Sequence, residues 1–257
     1  RPISNIIFKN ISLFTVPSKL IYDKLYNLIP KSKIIIIRDT RYEQVITRFK
    51  QNEFKEYLSP KYMSSFNIIF GSYDENDEQY IFGAINHIYK RKNKSIESLN
   101  HNLILVPHEV DKNTINRTQK KLEVLDFTYS NYSHLQNDQD AKVLIVDKVG
   151  ILPELYKYCS LAYVGSGFSD GVHSVIEPGI HGCTVAYGPN IELLDEAKEI
   201  NSKGMGIMIN NKNDMIDFIN LYNEEKIIHK LGTNIKNHIL KCDNSSIKII
   251  KAIEDLL

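Results

Sequence analysis

The chain has 257 residues, 42% of them hydrophobic, and a formal net charge of +1, enough apolar material for one large α/β core or two smaller ones. That balance argues against a general nucleic-acid binder, and no run approaches the ~18 consecutive apolar residues that a membrane-spanning helix needs. Three scattered cysteines, none in a CxxC pair, exclude a disulfide framework and supply no zinc motif, which makes the cytosol the expected compartment.

At the N-terminus there is no signal-peptide pattern, and because the chain starts at Arg1 rather than Met, an N-terminal anchor is left open. Residues 1–33 hold six Lys/Arg against the single acid Asp23, which fits either a solvated basic surface or one resting on anionic lipid. Ser18 is placed to cap a helix over "KLIYDKLYNL", and "KIIII" (33–37) is the one clear strand of the first 57 residues. One strand is too little for a layer, so 1–57 reads as the tail of another domain. Pro60 in "YLSPKYMSS" marks the boundary.

From there short β-branched runs alternate with amphipathic stretches: strands at 66–70, 102–106, 127–130, 142–146, 161–164, 184–187 and 206–209. Helices are expected after Asp74, after Asn113, and at 213–222, 224–240 and 245–256, while "KRKNKS" (90–95) reads as a solvated cationic loop. Several strands are apolar throughout, as strands covered on both faces must be. The fold class is therefore α/β, a Rossmann-like parallel sheet with helices on both faces, divided as 1–57, 58–240 and a closing helix at 241–257.

Ligands of such sheets collect at the carboxyl ends of the strands. Four loops there stand out: "GSYDEND" after 66–70, "PHEVD" after 102–106, "DKVGIL" after 142–146, and the glycine-rich loop after 161–164. Gly165, Gly167 and Gly171 permit tight turns and close approach to a ligand, and a helix expected to begin near Val172 would aim free N–H groups into the same space, an anion site. Turn formation without a ligand is the plainer alternative. On that helix His173, Ser174 and Glu177 would share a face, with Glu177 placed for ribose hydroxyls and His173 and Ser174 for a phosphate. His173 and Glu177 as a metal pair lack a third ligand, and His181 reads as a cap or packing group. No GxGxxG fits cleanly, and neither a P-loop nor a GxSxG elbow is present.

With these loops assembled, the sequence resembles the 3-deoxy-D-manno-octulosonic acid (Kdo) transferases, glycosyltransferase family 30. The likeness runs in order through "RPISNIIFKNISLFTVPSK", "IIIIRDTRYEQV", "NIIFGSYDENDEQ", "LILVPHEVD", "VLIVDKVGILPELYKYCSLAYVGSGF", "GVHSVIEPGIHGCTVAYGPN" and "DNSSIKIIKAIEDLL". It implies a GT-B fold with a truncated N-terminal domain. It also implies transfer of Kdo from CMP-Kdo to a lipid A precursor in lipopolysaccharide biosynthesis, at the cytoplasmic face of the bacterial inner membrane. The family's CMP-contacting positions correspond to Pro107 and His108, to Val149, Gly150 and Ile151, and to Ser174, Val175, Ile176 and Glu177. The loop of Gly165, Ser166, Gly167, Phe168, Gly171 and His173 is expected at the phosphate. No metal or other cofactor is expected, and no nucleic-acid partner.

The chain departs from the family pattern in four places. Ser166 replaces a loop glycine, Ser174 stands where Asn is usual, His108 where many members have Arg, and Arg38 where Gly is usual. The family's catalytic glutamate has no counterpart here, so the base is expected upstream of Arg1 and no catalytic residue within the chain. Two alternatives remain: another GT-B glycosyltransferase or nucleotide-sugar 2-epimerase, and a non-catalytic nucleotide-binding relic or regulator.

Overall fold

A computed structural model describes all residues except 1–7, 9, 27, 30–32, 52–55, 91–99, 136–141, 243 and 257. The expected cationic loop lies outside the described residues from 91 onward, as do the first seven residues of the basic N-terminal segment. The chain divides into two compact units, one of residues 1–51 with 238–257 and one of residues 52–237.

In the first unit, β1 (Phe14–Val16) and β2 (Ile34–Ile36) pair in parallel, with α1 (Lys19–Tyr26) lying between them in sequence. Val16, Ile29 and Ile34 form the core of this unit, with Phe14, Ile21, Tyr22 and Leu25 packed around them. The single strand expected here is thus two. β1 escaped notice because "FTV" is three residues long and runs straight into Pro17, too short for periodicity to register. Asp39 accepts the Arg41 N–H at the start of α2 (Arg41–Gln51). Further along α2, the Glu43 carboxylate accepts the N–H (2.9 Å) and hydroxyl (2.5 Å) of Ser246, at the start of the closing helix α11 (Ser245–Glu254). A carboxylate there satisfies donors that the helix leaves orphaned.

The second unit is built on seven parallel strands in the order β5-β6-β4-β3-β7-β8-β9. Their ranges are β3 Phe66–Tyr73, β4 His101–Pro107, β5 Ser130–Asn131, β6 Val143–Ile145, β7 Leu161–Val164, β8 Thr184–Tyr187 and β9 Gly206–Met208. β4, β6, β7 and β8 are buried at every residue, which is why their sequences are apolar runs rather than alternations. Asn67, fully buried in β3, is satisfied on every side. Its amide donates to the Tyr62 and Tyr158 carbonyls, and its oxygen accepts from Asn102. The strand expected at 127–130 is only Ser130–Asn131. Phe127 is buried as a core side chain just after Asp126, whose φ of 57° turns the chain out of the preceding helix.

Helices join the strands. α3 (Pro60–Ser64) precedes β3 and begins at Pro60, so this proline starts a helix as well as ending what comes before. α4 (Glu75–Ile85) follows β3, opened by a reciprocal capping box between Asp74 and Asp77. α5 (Lys112–Val124) follows β4 and is capped by Asp111 rather than Asn113, because the Asp111 carboxylate accepts the Asn113 and Thr114 N–H groups. The remaining helices are α6 (Leu152–Leu155), α7 (Ile176–Ile180), α8 (Asp195–Ser202), α9 (Lys212–Asn220) and α10 (Glu225–Leu240). The chain leaves β3 toward β4 on one side and later places β7 on the other, so the order of winding reverses between β3 and β7. In open α/β sheets that reversal opens a crevice at the carboxyl ends of the strands.

Candidate functional site

The glycine-rich loop begins where β7 meets that crevice. A Cβ on Gly165 would collide with the backbone of Ser72 and Tyr73, and one on Gly167 would stand 2.6 Å from the Gly188 backbone. These two glycines are therefore required by the protein's own chain crossings, in addition to any room they leave for a ligand. Gly171 does adopt a conformation that L side chains rarely take, at φ 123°.

The helix expected from Val172 starts only at Ile176 and is five residues long. Residues 171–175 instead hold an irregular path because their donors are taken by loop carbonyls. Gly171 N–H bonds to Ser166 O, Val172 N–H to Asn190 O and His173 N–H to Gly165 O. His173, Ser174 and Glu177 are consequently not stacked on one helical face. Among the described residues the N–H groups of Ser174 and Val175 take no backbone acceptor.

Two serines with left-handed backbones frame the crevice. Ser72 (φ 54°) sits at a β-bulge near the end of β3, and Ser166 (φ 65°) follows Gly165. Ser72 Oγ bonds His108 Nδ1 at 2.8 Å, and Ser166 Oγ bonds His173 Nε2 at 3.0 Å. The two imidazoles lie face to face, centroids 4.7 Å apart and planes within 13°. Burial, and next the adjacent His108, push the His173 ring below its usual pKa, with Asp74 opposing.

Behind the serines stand two carboxylates. Asp77, fully buried, accepts the Ser166 N–H (2.7 Å), the Tyr163 hydroxyl (2.7 Å) and the Asp74 N–H (2.9 Å). Its carboxyl is nonetheless raised, since burial outweighs those bonds. For Asp74 burial also pushes upward, but hydrogen bonds from the Ser169 and Ser166 hydroxyls and the Asn76 and Asp77 N–H groups win and hold it low. Ser72 and Asp77 were missed as site-building residues. Only the Asp-x-x-Asp spacing of the capping box could have flagged Asp77.

The other expected residues fall into two groups. Pro107 ends β4 buried, Ile151 is buried, and Val175 and Ile176 are 0% and 1% exposed, so the last two can offer a ligand only backbone. Phe168 is stacked on Tyr80, centroids 3.9 Å apart. Val149 and Gly150 (φ 84°) form an exposed turn, and beyond it α6 and the 3-10 turn after it bring Leu152 and the Tyr156 hydroxyl against Gly71 of β3. Glu177 is half-buried in the first turn of α7, and its charge is felt by the buried Tyr156 phenol, which burial already pushes up. Beside the end of β6, a cavity of about 580 Å³ is lined by Tyr57, Tyr132, Ser133, Asp147 and Lys148. Among the described residues no group of three or more His, Cys, Asp or Glu side chains is arranged to hold a metal ion.

No family model matches the chain. Among curated proteins, the Kdo transferase of Aquifex aeolicus is 32% identical over 151 residues, covering 58% of this chain and 39% of that protein. The Kdo transferase of Rickettsia prowazekii is 26% identical over 190 residues, 71% of this chain and 38% of its own length. The chain is similar in sequence to these Kdo transferases. A bifunctional glycosyltransferase/methyltransferase of Fusobacterium nucleatum is also similar, 24% identical over 227 residues, 86% of this chain and 34% of that protein. The chain thus spans little more than a third of the length of these relatives.

Among solved structures, the C-terminal CMP-Kdo binding domain of WaaA from Acinetobacter baumannii superposes with a TM-score of 0.59 at 16% identity, covering 77% of this chain and 97% of that domain. Anabaena HepE, solved with UDP-glucose, gives 0.57 at 13% identity over 98% of this chain and 65% of HepE. Both likenesses concern the fold, which is the GT-B fold that the sequence resemblance implied.

Proposed function

We propose that the chain is the donor-binding portion of a Kdo transferase, holding CMP-Kdo for transfer to a lipid A precursor at the cytoplasmic face of the inner membrane. The observation that carries this reading is the convergence of Ser72, His108, Ser166 and His173 at the winding reversal of a sheet whose sequence is related to Kdo transferases. The donor phosphate would lie against the imidazoles and the Ser174 and Val175 N–H groups. Cytidine would rest along His108 and the 149–151 turn, and the ribose on Glu177. Donors fixed around a phosphate stabilise the charge that develops as CMP leaves, without reorganising during the step.

Acceptor, membrane surface and general base are assigned in this reading to the N-terminal domain of the intact protein. Transfer of labelled Kdo from CMP-Kdo to a lipid A precursor by the intact protein is the expected result. Retained CMP binding without transfer would favour a non-catalytic nucleotide-binding module instead.

A further inference from the structure

We propose that the stacked His108–His173 pair binds the donor phosphate by taking up one proton, so that affinity for a phosphodiester is set by pH. This rests on the donor-site reading above and concerns how that site meets negative charge.

The geometry supports it in three ways. Each imidazole is anchored through one nitrogen, His108 Nδ1 by Ser72 and His173 Nε2 by Ser166, which leaves one nitrogen on each ring for another partner. Each anchoring serine holds a positive φ that costs backbone energy for any residue but glycine, and a serine there places a hydroxyl where glycine would place nothing. The rings are stacked at 4.7 Å, a distance at which two full charges repel strongly, so the pair accepts a first proton far more readily than a second.

The charged surroundings also bear on the pair. Asp74, at the start of α4, favours protonation of His173, and Glu109 approaches His108 Nε2 at 3.8 Å from the adjacent loop position. Asp77 is turned away, occupied with the Ser166 N–H and Tyr163 hydroxyl. The charges felt by His173 are those of His108 and Asp74, with no lysine or arginine among them. Burial and the adjacent His108 hold His173 below its usual pKa in the free protein, so this ring gains from an anion that stabilises its charged form. The sign follows: the anion raises the pair's pKa, so the extra affinity is fully present below the free value and is lost as pH rises through the bound one.

The probe must not titrate itself, which excludes CMP, whose phosphate has a second pKa of about 6. The methyl ester of CMP carries one fixed charge and mimics the diester of an activated sugar. Calorimetry of the full chain in buffers of different ionisation enthalpy should show uptake of up to one proton near neutrality, with binding at least about fivefold tighter at about pH 6 than at about pH 8. Cytidine binding should be flat over that range. His108→Gln and His173→Gln should each remove the pH dependence; His108 is exposed, so its variant keeps the test alive if the His173 variant fails to fold. Ester binding with equal affinity at both pH values and no proton uptake would overturn this inference and leave the donor-site reading standing. Failure of both ester and cytidine to bind at any pH would overturn both.

Discussion

Single residues at the crevice divide into those that shape the chain and those that face solvent, and substitution separates them. Gly167→Ala would press a methyl group into the Gly188 backbone at 2.6 Å, and such overpacking costs about 1–3 kcal/mol in urea unfolding. Gly150→Ala meets nothing within 4 Å, so only its φ of 84° opposes it, at about 1 kcal/mol. Glu177→Gln, which keeps the side chain's size, should weaken CMP binding by about 1–3 kcal/mol in a folded variant, the scale of a lost charge-assisted hydrogen bond. Unchanged affinity in calorimetry would remove Glu177 from the ribose. Asp77 makes a pH prediction. Its folded carboxyl is raised above the unfolded value of about 3.9, so the native state holds the extra proton and this group makes stability fall as pH rises through the folded pKa. Asp77→Asn removes that opposing contribution, and its stability should climb more steeply with pH than the parent's from about pH 4 upward.

At the scale of elements, α10 tests whether close packing or helix propensity decides. Gly232 lies within this helix, where alanine is favoured over glycine by about 1 kcal/mol, yet a Cβ there would run into the Gly182 carbonyl. A backbone oxygen yields less than a side chain does, so Gly232→Ala should lower stability, and a stabilised variant would show that the loop gives way. Elements with long apolar runs or strong caps were legible in the sequence: β3, β4, β7, β8 and the helix after Asp74. What escaped were elements fixed by tertiary partners. β1 is three residues beside a proline, β5 is two residues paired with β6, and the start of α7 is delayed because Asn190 and Gly165 carbonyls claim the N–H groups of residues 172 and 173. The glycine cluster was legible as special, but its reason was only half so. A sequence shows bare backbone and cannot show that Gly165 and Gly167 face other chain segments. The imidazole stack was invisible for the same reason: His108 and His173 are far apart in sequence and meet only through the sheet order.

For the whole molecule, the proposal is that the seven-stranded parallel sheet of a chain similar in sequence to Kdo transferases carries a site for a cytidine monophosphate sugar. The fold alone cannot choose the nucleotide, since HepE, solved with UDP-glucose, superposes nearly as well as the WaaA domain. The decision therefore lies with binding. Calorimetric titration of the full chain with CMP, UDP and GDP under one condition tests it most directly. The account predicts that CMP binds at least about tenfold more tightly than either diphosphate, a difference of about 1.4 kcal/mol; preference for UDP or GDP would contradict it.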